Sequence, residues 1–403
     1  MFSRRIRHAA AVTLTGLALA GCTVAGSATP GETDVRGFDV GKYATGPLEE
    51  RYAYNPDLAK GLNLALMRLA NRVVTGPEID ARFKYGTGMI PFLTPDKATK
   101  VLADVTAPVL ARNNLKFGVA VGHSEQEPIK GAAPAGSPFT TVTVMQFPDD
   151  ASAARAATEL DEADFGIAAE ANQHVTLPKY PAALAHWRPG VASMGATIAR
   201  GSYVVALFVG TRDPEQDQLT ALVEQVLDVQ LPLLDALRPL DTEAVLRQPY
   251  DPDGMLRQTL NIQGIGQPDV GQQAVFEQRA YLHRVADQAH WRQVLQDNGV
   301  DRFAVSGASF EGTTILFRTR DADAAIRFGA AVLSANHAGP AEAPAGVPDT
   351  TCGEAPKDAA SGLKRYRCVV AYRQYVAAVQ SDQITDVHQR AAAQYALMAN
   401  SSW

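Results

Sequence analysis

The chain of 403 residues is poor in cysteine and histidine, with three of the first and eight of the second. So few thiols exclude a disulfide-dense scaffold. An excess of basic residues is also missing: 37 Lys and Arg stand against 43 Asp and Glu, a formal net charge of −6. That balance argues against nucleic acid, or an anionic lipid surface, as the main partner. Beyond the first residues no apolar run approaches membrane-spanning length, and segments such as Tyr203 to Val209 are strand-sized. No complete catalytic or cofactor-binding signature is present, so catalytic, cofactor-binding and metal residues are all assigned as none.

What is present begins near the first residue. Arg4, Arg5 and Arg7 precede an apolar stretch, Ala9 to Ala20, which is too short to span a bilayer as a helix. It runs into Leu19-Ala20-Gly21-Cys22, which has the form of a bacterial lipobox. Residues 1–21 are therefore expected to be a lipoprotein signal peptide and Cys22 the lipid-attachment site. The location expected is the extracytoplasmic face of the cell membrane. Residues 22–35, rich in Gly, Ser, Pro and Thr, suit a flexible tether.

With Cys22 assigned to lipid, Cys352 and Cys368 remain, in a chain read as exported to an oxidising compartment. They are expected to form a structural disulfide. A metal site is disfavoured, because the spacing is not Cys-x-x-Cys and no histidines flank it.

The rest of the chain reads as one pattern stated twice. A helical-looking segment (Pro95 to Asn113; Val275 to Asp297) leads to a strand (Leu115 to Val121; Val300 to Ser306). A second strand follows (Thr140 to Phe147; Thr313 to Thr319), then an alanine-rich helix opened by aspartates, Asp149-Asp150 and Asp321 with Asp323. Gly201 to Leu207 is echoed by Arg373 to Val379, and terminal helices follow at Pro214 to Leu237 and Thr385 to Met398. The short Gly/Pro loop Lys130 to Pro138 points to antiparallel pairing. The fold expected is α+β: two similar domains by internal duplication, 36–240 and 241–403, each an antiparallel sheet covered by helices on one face. The stretch Arg238 to Gly271 suits the linker at their seam, and Ala335 to Thr351 reads as a long surface loop.

Several clusters invite a chemical reading and then lose it. His283 and His290 would lie about 10 Å apart along a single helix, too far to share a metal. His123-Ser124-Glu125 holds a base, a hydroxyl and an acid, but adjacent residues point different ways. Ser306 to Gly312 falls between two strands, the wrong context for a nucleophile elbow, and Glu311 replaces the last glycine. Gly264-Ile265-Gly266 precedes Gln267-Pro268 rather than a helix, which disfavours dinucleotide binding. Asp161-Glu162 reads as a solvated pair. In Arg82-Phe83-Lys84-Tyr85 the two aromatics share one side, as in a half-buried strand or a basic-aromatic rim. Tyr54, Trp187, Tyr203, Phe208, Trp291 and Tyr375 are expected mostly in the core or at the domain interface.

The lipobox, the segment Val142 to Leu160, the pair Cys352 and Cys368, and the closing Asp386 to Leu397 together resemble the actinobacterial cell-envelope lipoproteins of mycobacterial and nocardial type, which have no settled function. That resemblance implies an envelope location and this general architecture, and it transfers no catalytic residue. The leading expectation is a membrane-anchored, non-enzymatic binding or scaffolding module acting on an envelope protein or component. One alternative is a carrier of a lipid or other apolar ligand in the interdomain cleft. The other is a hydrolase whose site is assembled by folding, testable by whether Ser306 or Ser309 meets a histidine.

Overall fold

The computed structural model describes residues 33–47, 54–262, 267–307, 314–359 and 362–401. The lipobox with Cys22, Gly264 to Gly266 and Ser309 to Gly312 lie outside them. From Val35 onward the chain forms one compact unit.

Its first half runs α1 (Leu58–Ala70), α2 (Gly76–Ile79), β1 (Tyr85–Phe92), α3 (Pro95–Ala98), α4 (Ala107–Arg112), β2 (Phe117–Ser124) and β3 (Phe139–Gln146). It continues with α5 (Asp150–Phe165), β4 (Gln173–Val175), β5 (Leu184–Trp187), β6 (Ser193–Arg200), β7 (Tyr203–Gly210), α6 (Gln216–Asp235) and α7 (Thr242–Leu246). The second half holds β8 (Gln273–Phe276), α8 (Gln278–Leu282), α9 (Gln288–Asp297), β9 (Arg302–Ser306), β10 (Thr314–Arg318) and α10 (Ala322–Ser334). It closes with β11 (Gly339–Ala341), β12 (Thr350–Glu354), β13 (Tyr366–Tyr372), β14 (Tyr375–Ser381) and α11 (Ile384–Asn400).

Each half builds a seven-stranded sheet, ordered β1-β2-β3-β7-β6-β5-β4 and β8-β9-β10-β14-β13-β12-β11 once the second is read from its β8 edge. The order is the same in both, every pairing is antiparallel, and helices cover both sheets, so the expected α+β class with a repeated sheet is what the chain adopts. The aspartate-opened helices are present too. Asp149 Oδ1 accepts from the Ser152 N–H and Asp321 Oδ1 from the Ala324 N–H, both at 2.7 Å, which satisfies donors that a helix start leaves free.

Helices cover the first sheet on both faces rather than one. Strand alternation is the cause: Val204 and Ala206 pack with Ala156 and Leu160 of α5, while Val205, Leu207 and Val209 join a core with Leu222 and Val226 of α6. That second core continues without a break through Phe276, Phe303 and Phe328 of the other half. Arg238 to Gly271 is correspondingly no loose connector. Leu240, Val245, Tyr250, Met255 and Leu260 along it are buried, and α7 lies within it.

Other expectations change. The helix read over Val275 to Asp297 is three pieces: Val275 and Phe276 end β8, and α8 and α9 are separated at Arg284 to Asp287. Asp287 is the reason for the restart, because its side chain accepts from the His290 N–H and caps α9. Pro95 to Asn113 is likewise two short helices, each with a proline in its first turn. Ala335 to Thr351 contains β11, which pairs with β12.

Candidate functional site

The floor of an apolar cavity in the second half is β12 and β13, with α10 as one wall. Val369 and Ala371 of β13 face α10, with Val376 of β14 beside them. Above them lie Ile326, Gly329, Ala330 and Leu333 of α10, and the rim is His337 to Pro340, Val347 and Asp349. Together they enclose about 560 Å³. Small residues make the space. A Cβ on Gly329 would come within 3.1 Å of Val376, so the helix sits close at that point, and the neighbouring Ala330 fills little of the mouth. Ile326, 51% exposed, forms an apolar lip.

The Cys352–Cys368 disulfide cross-links the two floor strands, whose register places these residues directly opposite each other. The first half has Ala185 opposite Ala196 at the corresponding place in β5 and β6. Counted back from the next hairpin, Ala196 and Cys368 stand at the same position.

Among the described residues one imidazole lines the cavity. His337 is 1% exposed, and its Nε2 lies 2.8 Å from the Lys364 carbonyl oxygen. A carbonyl only accepts, so Nε2 carries the proton and Nδ1 is left as a bare acceptor. Nδ1 has no partner among the described residues. Burial, followed by the nearby Arg367 charge, lowers the His337 pKa to about 4, which keeps the ring neutral. Glycine at 353 allows this approach, since a Cβ there would sit 2.0 Å from the His337 carbonyl oxygen.

The corresponding place in the first half holds a smaller cavity, about 250 Å³, whose wall carries charge. His186 on β5, in the position Gly353 holds on β12, donates from Nδ1 to Asp161 at 2.8 Å and approaches Asp164 through Nε2 at 3.4 Å. Burial alone would lower its pKa, but the hydrogen bonds and charges of Asp161 and Asp164 push it up to about 9. The ring is an imidazolium with both nitrogens occupied, so it is not a general base at neutral pH. Asp161 is 3% exposed, which corrects the expectation of a solvated Asp161-Glu162 pair. Nothing in the sequence announces that contact, because helix and strand bring it together.

Part of the seam between the halves is polar. A cavity of about 490 Å³ there is lined by Glu78, Glu277, Arg279, Arg292, Asp301 and Arg302 among others. Arg279 bonds Glu78 through Nε and Nη2 at 3.0 and 2.9 Å, and Arg72 and Arg302 hold Glu277 at 2.8 and 3.1 Å. Burial would raise the Glu78 carboxyl; Arg279 and then Thr75 hold it below its ordinary value. This seam cavity is thus charged, and the apolar cavity under α10 lies inside one half.

The remaining sequence candidates separate. His283 caps α8 and donates from Nε2 to the Val73 carbonyl at 3.1 Å, whereas His290 lies in α9. His283 instead meets His123 across the seam, ring centroids 6.3 Å apart, and burial lowers their pKa values to about 4 and about 3. Ser124 donates to the Gln126 carbonyl and Glu125 pairs with Arg212, so His123-Ser124-Glu125 is no triad. Ser306 is buried and its hydroxyl contacts Gln273 at 3.1 Å, not a histidine. Phe83 is buried while Arg82 and Lys84 are exposed, but the three precede β1, which starts at Tyr85, so the expected strand does not include them. Among the described residues no group of three or more His, Cys, Asp or Glu is placed to hold a metal ion. Among them too, no helix is long and apolar enough to cross a membrane.

Two family models match the chain. The model described as Domain of unknown function (DUF7373) N-terminal covers residues 52–250, and Domain of unknown function (DUF7373) C-terminal covers 255–401. No curated protein matches. A solved structure that does is the extracellular domain of PknH from Mycobacterium tuberculosis, at 14% identity over 45% of this chain and 98% of that chain. Its TM-score of 0.28 is too low for the likeness to carry an argument.

Proposed function

The chain belongs to the DUF7373 family, N- and C-terminal domains both, and from its own geometry we propose that it is a non-enzymatic envelope module that binds an apolar ligand in the groove under α10. The observation that carries this is the contrast between corresponding places in the two halves. One is a smaller cavity of about 250 Å³ with the charged Asp164 and His186 in its wall. The other is an open groove of about 560 Å³ floored by valine and alanine. Ligand sites are concave and mostly apolar with a few placed polar groups, which is what the second place offers. A binding role is further supported by the pairing of the buried histidines with a carboxylate, a hydroxyl or backbone, and by the Ser306 hydroxyl meeting Gln273 rather than a histidine.

Location is part of the same proposal. Cys22 carries lipid, residues 22–35 tether the folded unit, and the groove works at the outer face of the membrane of an actinobacterial cell. The lipobox supports this, and a disulfide suits an oxidising compartment.

The test is a titration of an apolar fluorescent probe into the purified protein. Ala330 is exposed at the groove mouth, so Ala330→Trp fills it from outside the core. Saturable binding that Ala330→Trp weakens at least tenfold is expected. Equal binding by both proteins would place the ligand elsewhere.

A further inference from the structure

We propose that the charged cavity at the seam binds a small oxyanion, a carboxylate or phosphate ester carried on a hydroxylated body such as a sugar, and that Arg292 pairs with its charge. This site is separate from the groove under α10 and does not depend on it.

Charge in and behind the cavity wall pairs off until one residue is left over. Arg279 is held by Glu78, and Arg72 by Glu277. Arg302 spans Glu277 and Asp253, and Arg318 spans Asp253 and Asp301. Four arginines thus meet four carboxylates. Arg292 also lines the cavity, yet among the described residues it meets no carboxylate, and its side chain bonds only the Pro77 carbonyl, through Nη1 at 3.1 Å. Its other side-chain nitrogens keep accessible surface, so the rest of the guanidinium is open to a ligand.

The same bond fixes where that open group lies. Arg292 and Gln296 stand one turn apart on α9, and both line the cavity. The anchor on Pro77 holds the guanidinium against α2, whose next residue, Glu78, is in the wall as well. Arg279 reaches Glu78 from α8 through Nε and Nη2, which leaves its Nη1 outside the pair. Guanidinium groups from two helices therefore converge on Pro77 and Glu78.

A guanidinium presents its donors as a planar fork that matches a carboxylate or a phosphate. One anionic group completes the charge balance, whereas a cationic ligand finds each carboxylate already held by arginine. Thr75, Gln278 and the exposed Gln296 add hydrogen-bonding groups to the wall, which suits hydroxyls better than an alkyl chain. At about 490 Å³ the space exceeds what a bare ion fills and lies in the ordinary range of ligand pockets, roughly 300–1,000 Å³.

The experiment is titration of the purified protein with D-glucuronate, glucose-6-phosphate and glucose, followed by calorimetry and by the Arg292 Nε–H resonance in NMR. At least one of the two anions is expected to bind saturably and to shift that resonance, and the tighter of the two tells carboxylate from phosphate. Glucose is expected to bind roughly tenfold more weakly or worse. Gln296→Glu places a negative charge one turn from Arg292 at an exposed position and leaves the Pro77 bond intact, and it is expected to weaken the anion by roughly tenfold. Binding of neither anion, binding of glucose as tightly as the anions, or anion binding with the Arg292 resonance unmoved overturns the proposal. Each of these outcomes leaves the groove and its Ala330→Trp test untouched.

Discussion

His186 ties the folded state to proton concentration more strongly than its surroundings in the sequence suggest. Its pKa of about 9 stands well above the ordinary 6.5 because Asp161 and Asp164 flank the ring. A group whose folded pKa is raised contributes its full stabilisation below the unfolded value and loses it as pH rises through the folded one. The window is therefore pH 6.5 to 9. By linkage the loss across it amounts to about 3 kcal/mol, a large share of the stability of an ordinary domain. Urea unfolding of wild type and His186→Gln at pH 6, 8 and 9.5 isolates this contribution, since tyrosine and lysine ionisation is common to both proteins. The stability gap between them should shrink by about 3 kcal/mol from the lowest to the highest pH. A gap that is constant, or that widens with pH, would refute the imidazolium account.

The disulfide, the seam and the anchor yield further predictions. Cys352→Ser with Cys368→Ser opens a cross-link of sequence separation 16 and should cost about 3 kcal/mol in thermal unfolding, with reductant having the same effect on wild type alone. Because Ala185 and Ala196 face each other in the same register, Ala185→Cys with Ala196→Cys should oxidise to a second bridge, counted by loss of titratable thiols. Glu78→Gln strands Arg279 at the seam and should destabilise by about 1–3 kcal/mol, with a double-mutant cycle to Arg279→Ala giving a coupling of about 1 kcal/mol or more. Cys22→Ser should move the protein from the detergent phase to the aqueous phase on Triton X-114 partition; retention in the detergent phase would refute lipid anchoring.

How much of this the sequence discloses depends on the range over which the responsible contact acts. Alternating apolar residues and N-cap aspartates are local signals, and the strands around Val142, Val205 and Ala377 and the helices opened by Asp149 and Asp321 follow from them. The disulfide was legible because cysteines are scarce. Helix ends set by a competing cap were not: Asp287 restarts the chain in the middle of a helical-looking run. The pairing of His186 with Asp161, and the meeting of His123 with His283, join residues on different elements that no spacing links. The groove was hidden for another reason. It is made by volume left out at Gly329 and Ala330, and absence of side chain carries no motif.

The central claim, that the groove under α10 is where a ligand sits, is tested most directly by methyl NMR of the protein titrated with 1-decanol. Ile326, Leu333, Val369 and Val376, which line the groove, should shift together and saturate, while Leu64 and Met67 near the seam stay fixed. Shifts confined to the seam, or none at saturating alcohol, would contradict the account.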